Sequence, residues 1–273
     1  MVHPGTIDQY RQTTTPSSEP VMPSRRLSLP SLVAAALCAL VAAGDVAQAQ
    51  RAGDGFLFGA PKATLALRGG FAQPRAGSDV FDFTMNRLTL DRGDFAGETV
   101  GAELGIVLGR RTTLQFGVAS MRRTAGSEYR DWVDDDDRPI EQETTFRRVP
   151  VTAGLRLYLT PPGRSISRLA WIPARFTPYV AAGGGAMWYA FQQTGDFVDF
   201  ETLDVFATTV RSSGWTSTGY AAAGLLVSLS PRFALTTEAR HDRARGAMGG
   251  DFVGFDRIDL SGFGGSVGLE YRF

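Results

Sequence analysis

Between Gln50 and Phe273 no apolar run approaches the roughly 18 residues that a membrane helix requires, and the dominant regularity has period two. Segments of about ten residues alternate apolar with small or polar side chains, and turn chemistry separates them. Successive side chains on a strand point to opposite faces, so each segment presents one apolar face and one polar face. A chain of this kind is confined to all-β architectures.

Eight such segments are legible: 63–72, 99–108, 112–121, 146–159, 177–191, 218–229, 233–241 and 258–273. In the first, Leu65, Leu67, Gly69 and Phe71 oppose Thr64, Ala66, Arg68 and Gly70. In the fourth, Val149, Val151, Ala153, Leu155, Leu157 and Leu159 oppose Arg148, Thr152, Gly154, Arg156 and Tyr158. The fifth is apolar on both faces around Gly183-Gly184-Gly185, which leaves its register open. Tight turns at Gly109–Arg111 and Ser230–Arg232 alternate with long intervals at 73–98, 122–145, 192–217 and 242–257. The interval 160–176, with Pro161, Pro162 and Pro173, is longer than that alternation allows.

A soluble sandwich would turn the apolar faces inward. A transmembrane barrel turns them toward lipid and keeps the small, polar face in the lumen. The polar face is rich in Gly, Ala, Ser and Thr, with isolated charges of both signs at Arg68, Glu103, Arg148, Arg156, Glu238, Arg240, Glu270 and Arg272. An eight-stranded barrel has an interior only wide enough to be filled by side chains. The expected fold is therefore a closed eight-stranded antiparallel transmembrane β-barrel, with these residues as a lumen charge network of paired Arg and Glu. Gly at 32 of 273 residues exceeds the roughly 7% usual for soluble chains, and such an interior would use the excess.

The first residues read as targeting. Residues 1–21 are polar and form an extension or disordered leader, and Met22 begins a stretch of conventional signal length, 22–49. Arg25-Arg26 precede the apolar run Leu27 to Gly44, and Ala47-Gln48-Ala49 supplies a small-x-small site with cleavage expected before Gln50. Cys38, the one cysteine, lies inside the apolar run, so the barrel domain 50–273 contains no cysteine. The 28 basic and 28 acidic side chains balance, and removing the leader takes three of each sign. This argues against a nucleic-acid partner.

The stretches Arg148 to Leu159, Thr177 to Gly185 and Gly268 to Phe273 resemble the small outer-membrane β-barrel superfamily that includes the OmpA transmembrane domain and OmpW-like proteins. The ending Val267-x-Leu269-x-Tyr271-x-Phe273 is similar to the C-terminal signal read by the outer-membrane assembly machinery. No peptidoglycan-binding domain is expected after the last strand. The resemblance implies a monomeric, multi-pass protein of the bacterial outer membrane, in contact with outer-membrane lipid, lipopolysaccharide and the assembly machinery.

Catalytic and metal chemistry find little support. His3 and His241 are the two histidines, which disfavours a transition-metal site. Asp134 to Asp137 could offer oxygens to a hard cation, although the spacing is not that of an EF-hand and a solvated acidic loop is the simpler reading. Arg240-His241-Asp242-Arg243 is similar to the Arg-His-x-Ser-Asn setting of lipid A deacylases, but Arg243 occupies the nucleophile position. No Gly-x-x-x-x-Gly-Lys-Ser/Thr loop occurs. Trp188, Tyr189, Phe191, Trp215, Tyr220, Phe233 and Tyr271 are expected to form interfacial girdles.

The expected role is structural, adhesive or surface-interacting through the long loops, without catalysis or cofactor. The alternatives are a narrow small-solute channel, a lipid A-modifying barrel and a soluble secreted barrel that binds an apolar ligand.

Overall fold

The computed structural model describes residues 55–134, 136–167, 170–198 and 205–273; the leader and its cleavage site at Ala47, Ala49 and Gln50 lie outside the described residues. Eight long strands run β1 (Ala63–Pro74), β2 (Gly97–Val107), β3 (Thr112–Val133), β4 (Pro139–Tyr158), β7 (Phe176–Val198), β8 (Val205–Ser228), β9 (Phe233–Gly246) and β11 (Gly262–Arg272). Two short strands, β5 (Gly163–Ser167) and β6 (Ala170–Pro173), form a separate hairpin, and β10 (Ile258–Asp259) pairs with the end of β9.

Each long strand pairs antiparallel with two neighbours, and β1 closes the ring against β11 from Thr64↔Arg272 to Pro74↔Gly262. The sheet is therefore an eight-stranded antiparallel barrel. Closure removes the open edges that an alternating sheet would otherwise expose.

The alternation decides which way each side chain points. Along β4 the buried, inward positions include Tyr158, Arg156, Thr152 and Arg148, while Val151, Leu155 and Leu157 point outward and stay 46 to 51% exposed. The open register of β7 resolves the same way, with Thr177, Tyr179, Ala181, Met187, Tyr189, Phe191 and Gln193 inward. The outward apolar row that runs from Val149 along β4 to Leu159, one residue past the strand's end, covers about 33 Å at ~3.3 Å per residue. At a tilt of about 40° that is about 25 Å along the barrel axis.

Above this belt the polarity inverts. Beyond Val149 the outward row of β4 becomes Arg147, Thr145, Glu143 and Glu141, while Phe146 and Ile140 join the buried inward row. Such an inversion is what an outer face requires where its surroundings pass from apolar to aqueous. β3, β4, β7 and β8 continue through it and reach 20 to 24 residues, whereas β1, β2, β9 and β11 stop at 11 to 14.

The long intervals are therefore mostly not loops. Residues 122–133 and 139–145 continue as paired strand, with Ser127↔Gln142 among the partners, and leave a connection of 134–138. Likewise β7 extends to Val198, β8 begins at Val205 and β9 extends to Gly246. The segment 258–273 is not one strand, because Leu260 and Ser261 turn inward between β10 and β11.

The interval 73–98 holds α1 (Asp79–Arg87) and a 3-10 turn at Arg92–Phe95. Asp79 and Asp82 in the first turn and Arg87 in the last complement the helix dipole. Arg130 of β3 donates from Nε to the carbonyls of Leu88 and Met85 at 2.8 and 3.1 Å, satisfying acceptors at the helix exit.

Candidate functional site

The inward face at mid-barrel carries a continuous chain of charges. Arg68 reaches Glu238 at 2.6 Å and Glu103 at 3.0 Å; Arg156 reaches the same Glu103 oxygen at 2.6 Å and Glu270 at 2.8 Å; Arg272 lies 3.8 Å from Glu270. Register explains the meeting: Glu103 and Glu270 are the cross-strand partners of Ala66 on its two sides. Arg68 itself sits between Gly101 and Gly268, and a Cβ on Gly268 would fall 2.6 Å from Arg68 Cγ. The glycines are thus the space that the arginines occupy.

Neutral donors complete the chain. Tyr179 donates to Glu238 at 2.9 Å, Gln115 donates to Glu103, and the Arg156 guanidinium lies 4.4 Å from the Tyr179 ring centroid. Of the remaining charged residues expected in the lumen, Arg240 pairs with Asp242 at 2.9 Å and covers the Tyr220 ring at 3.8 Å. Arg148 donates to the Leu260 carbonyl and joins none of these pairs. Nothing in the sequence marks Asp242 as a partner, because a spacing of two residues along a strand reads only as the same face.

Two plugs flank the chain. At the end carrying the long extensions, α1 inserts between the strands, and Phe81 is fully buried against Phe95, Phe146 and Phe191 at 4.8, 5.5 and 5.6 Å between ring centroids. Leu88, Leu90, Ile258 and Leu260 complete this apolar cap, and Met121 and Met187 form part of it from the strands. At the opposite end the hairpin β5–β6 carries Trp171, 4% exposed, which exchanges two 2.9 Å backbone hydrogen bonds with Leu57 and lies 5.6 Å from the Arg272 guanidinium. That hairpin accounts for the overlong 160–176 connection. It borders a cavity of about 400 Å³ lined by Arg110, Tyr158, Trp171, Glu270 and Arg272.

The outer surface is apolar in a band. Leu67, Phe71, Val100, Phe116, Val180 and Val267 are 41 to 65% exposed. A band of this kind around a closed ring is far larger than the few hundred Å² usual on a soluble monomer. The fold is that of a small outer-membrane β-barrel.

No family model matches the chain, and no curated protein matches it. Among solved structures, Ail of Yersinia pestis shares 15% identity over 78% of this chain and 99% of that one, with a TM-score of 0.39. OprG from Pseudomonas aeruginosa shares 13% over 79% and 98%, at 0.40. A major outer membrane protein from Thermus thermophilus shares 12% over 78% and 100%, at 0.44.

Three expectations need correction or placement. Tyr189, Phe191 and Tyr220 point inward and are buried, so they belong to the cap and the lumen; Trp215, Phe233 and Tyr271 remain on the outer face. For Tyr189 and Phe191 the fault lay in β7, where both faces are apolar and parity could not be assigned; Tyr220 lies on β8, where alternation with the exposed Ala221 and Ala223 turns it inward. In the acidic turn, Arg138 engages Asp134 and Asp136 at 3.1 and 2.5 Å, while Asp135 lies outside the described residues. Among the described residues no group of three or more His, Cys, Asp or Glu side chains is placed to hold a metal. His241 lies on the outward face against Phe263, ring centroids 4.5 Å apart.

Proposed function

We propose that this barrel sits in the bacterial outer membrane by its apolar belt and acts through its water-exposed extension, in a structural or surface-interacting role without catalysis. The observation that carries this reading is the polarity inversion along single strands: Leu155 and Val151 face outward in the belt of β4, Glu143 and Glu141 in its extension. A soluble barrel has no reason to expose the first set. Putting charges rather than small apolar residues at midplane on the lipid face would cost about 2–4 kcal/mol each for Arg or Lys.

Occlusion supports a role outside the lumen. Solute passing along the axis would have to displace the Trp171 hairpin, break the Arg156 pairs and unpack Phe81. Catalysis has no support at His241, since Arg243 follows where a nucleophile would stand.

The outer-leaflet partners we infer are lipid and lipopolysaccharide. Arg122 and Arg147 are direct cross-strand partners at the upper edge of the belt, and Arg147 lies over the Trp188 ring at 5.4 Å. Like charges opposite one another are unfavourable unless an anion sits between them, and headgroup phosphates would supply one. Recognition by the assembly machinery through Val267, Leu269, Tyr271 and Phe273 is proposed on the same terms: the first three face outward on β11 and Phe273 continues the row. No second chain is needed to close the ring, which supports a monomer.

Because residues 50–273 have no cysteine, single-cysteine labelling tests the placement. Thr194→Cys should react with an impermeant maleimide on whole cells, and Val180→Cys only after detergent. Recovery of the protein in the periplasmic soluble fraction would overturn the membrane reading.

A further inference from the structure

The chain's overall neutrality hides an uneven placement of charge. At the end of the barrel that bears the short turns and the β5–β6 hairpin, Lys62, Arg110, Arg111, Arg164 and Arg175 are all exposed, and Arg232 is half-buried among them. Every exposed Asp or Glu among the described residues lies at the other end, within 82–143 or 251–256. Two negative groups stand near the basic turns. Glu270 is buried and held by Arg156, and the carboxylate of Phe273 accepts from the backbone N–H of Lys62 at 2.8 Å. The five exposed cations outnumber them.

These cations stand where the apolar belt ends. Leu108, Leu159 and Leu229 are 59, 52 and 63% exposed, and the connections that follow them carry Arg110 and Arg111, Arg164 and Arg232 in turn. On β7 Phe176 is 55% exposed, and the Arg175 guanidinium lies 5.6 Å from its ring centroid. A long basic side chain covers apolar surface with its stem and keeps its head at the polar boundary. In a bilayer that boundary holds phosphates, which guanidinium groups bind through paired N–H donors.

We propose that this basic end binds anionic glycerophospholipid, of the phosphatidylglycerol class, in the leaflet that surrounds the short turns. The inference rests on the membrane placement proposed above. A zwitterionic headgroup carries its own cation beside each phosphate, so a surplus of protein cations selects lipid with a net negative charge. Each Lys or Arg held near such a surface adds to the attraction. The extension mixes both signs, with Glu141 and Glu143 on the same face as Arg147, and offers no comparable surplus.

Depth-resolved quenching tests this at the turns themselves. The full chain with Cys38→Ser and Thr160→Cys, one residue beyond Leu159, is labelled with bimane and refolded into phosphatidylcholine vesicles with a phosphatidylglycerol minority. Insertion is read separately from heat-modifiable gel mobility. At equal mole fraction, phosphatidylglycerol with a nitroxide near its headgroup should quench the label at least about twice as strongly as phosphatidylcholine with the same nitroxide. The difference should vanish in about 1 M salt, where the screening length is about 3 Å. It should also vanish in Arg110→Gln/Arg111→Gln/Arg164→Gln/Arg175→Gln, and a preference that survives there overturns the assignment to these residues. If that variant does not insert, the comparison of the two lipids without it decides. Equal quenching by both lipids in inserted protein overturns the inference and leaves the membrane placement standing, whereas failure to insert overturns both.

Discussion

Arg156 Nη2 lies 2.6 Å from Glu103 Oε1 across the barrel interior, with the Arg156 side chain fully buried and the Glu103 side chain 13% exposed. The same guanidinium holds Glu270 at 2.8 Å. Removing one partner of a buried pair leaves an uncompensated charge and costs about 3–5 kcal/mol. Arg156→Met is therefore expected to lower the urea stability of the refolded protein by about that amount, measured by tryptophan fluorescence in lipid vesicles. The double variant Arg156→Met/Glu103→Gln should recover part of the loss, as coupled neighbours do. Strict additivity of the two single changes would count against a coupled chain.

Gly154 and Gly183 are cross-strand partners on the inward face, and the Tyr220 ring lies across both. A Cβ on Gly183 would sit 2.5 Å from Gly154 Cα and 2.8 Å from Tyr220 Cε1. Overpacking of this kind costs about 1–3 kcal/mol. Gly183→Ala should lose stability in that range, and Gly183→Ala/Tyr220→Phe should regain little, because the clash is with the backbone and ring rather than the hydroxyl. Full stability of Gly183→Ala in a urea titration would contradict this packing.

Much of this was legible beforehand, and the reason is physical. A strand in the belt meets an apolar surrounding on one side and a polar lumen on the other, so residues such as Leu155 and Arg156 announce their faces by alternation alone. The extensions were hidden because the rule inverts at the belt's edge: Arg147 pointing outward looks like the end of a strand when it is the start of its wet half. Helix α1 was hidden for another reason. It is nine residues long, too short for periodicity to stand out, although Ser78-Asp79 before Val80, Phe81 and Thr84 carried a start signal. The Trp171 hairpin could not be foreseen, since its burial depends on Leu57 and Arg272, far from it in sequence.

Phe81 anchors α1 in the cap. Truncating a buried aromatic costs about 3–5 kcal/mol, and the loss should be local because the ion pairs lie below. Phe81→Ala is expected to raise amide hydrogen exchange across 79–95 while exchange in β1 and β11 stays at wild-type rates. Uniform acceleration around the ring would show that cap and barrel are one cooperative unit.

At the tip joining β3 to β4, the backbone N–H of Arg138 donates to Asp134 at 2.8 Å and that of Asp136 at 2.9 Å. These bonds, that of Arg138 foremost, hold the Asp134 carboxyl below its ordinary range. A carboxyl lowered on folding stabilises the turn fully above its unfolded value, about 3.9 for Asp, and the contribution is lost as pH falls through the lowered value. The amide signals of Asp136 and Arg138 should therefore stay in place from pH 7 to about 4 and shift only in more acid solution. Movement near pH 5 to 6 would contradict the assigned contacts.

The most direct test of a sealed barrel that works through its surface is conductance. Refolded protein in a planar bilayer should give no stable current steps at neutral pH, because Trp171, the Arg156 pairs and Phe81 close the axis in series. Discrete, long-lived openings of the wild-type protein would contradict that account.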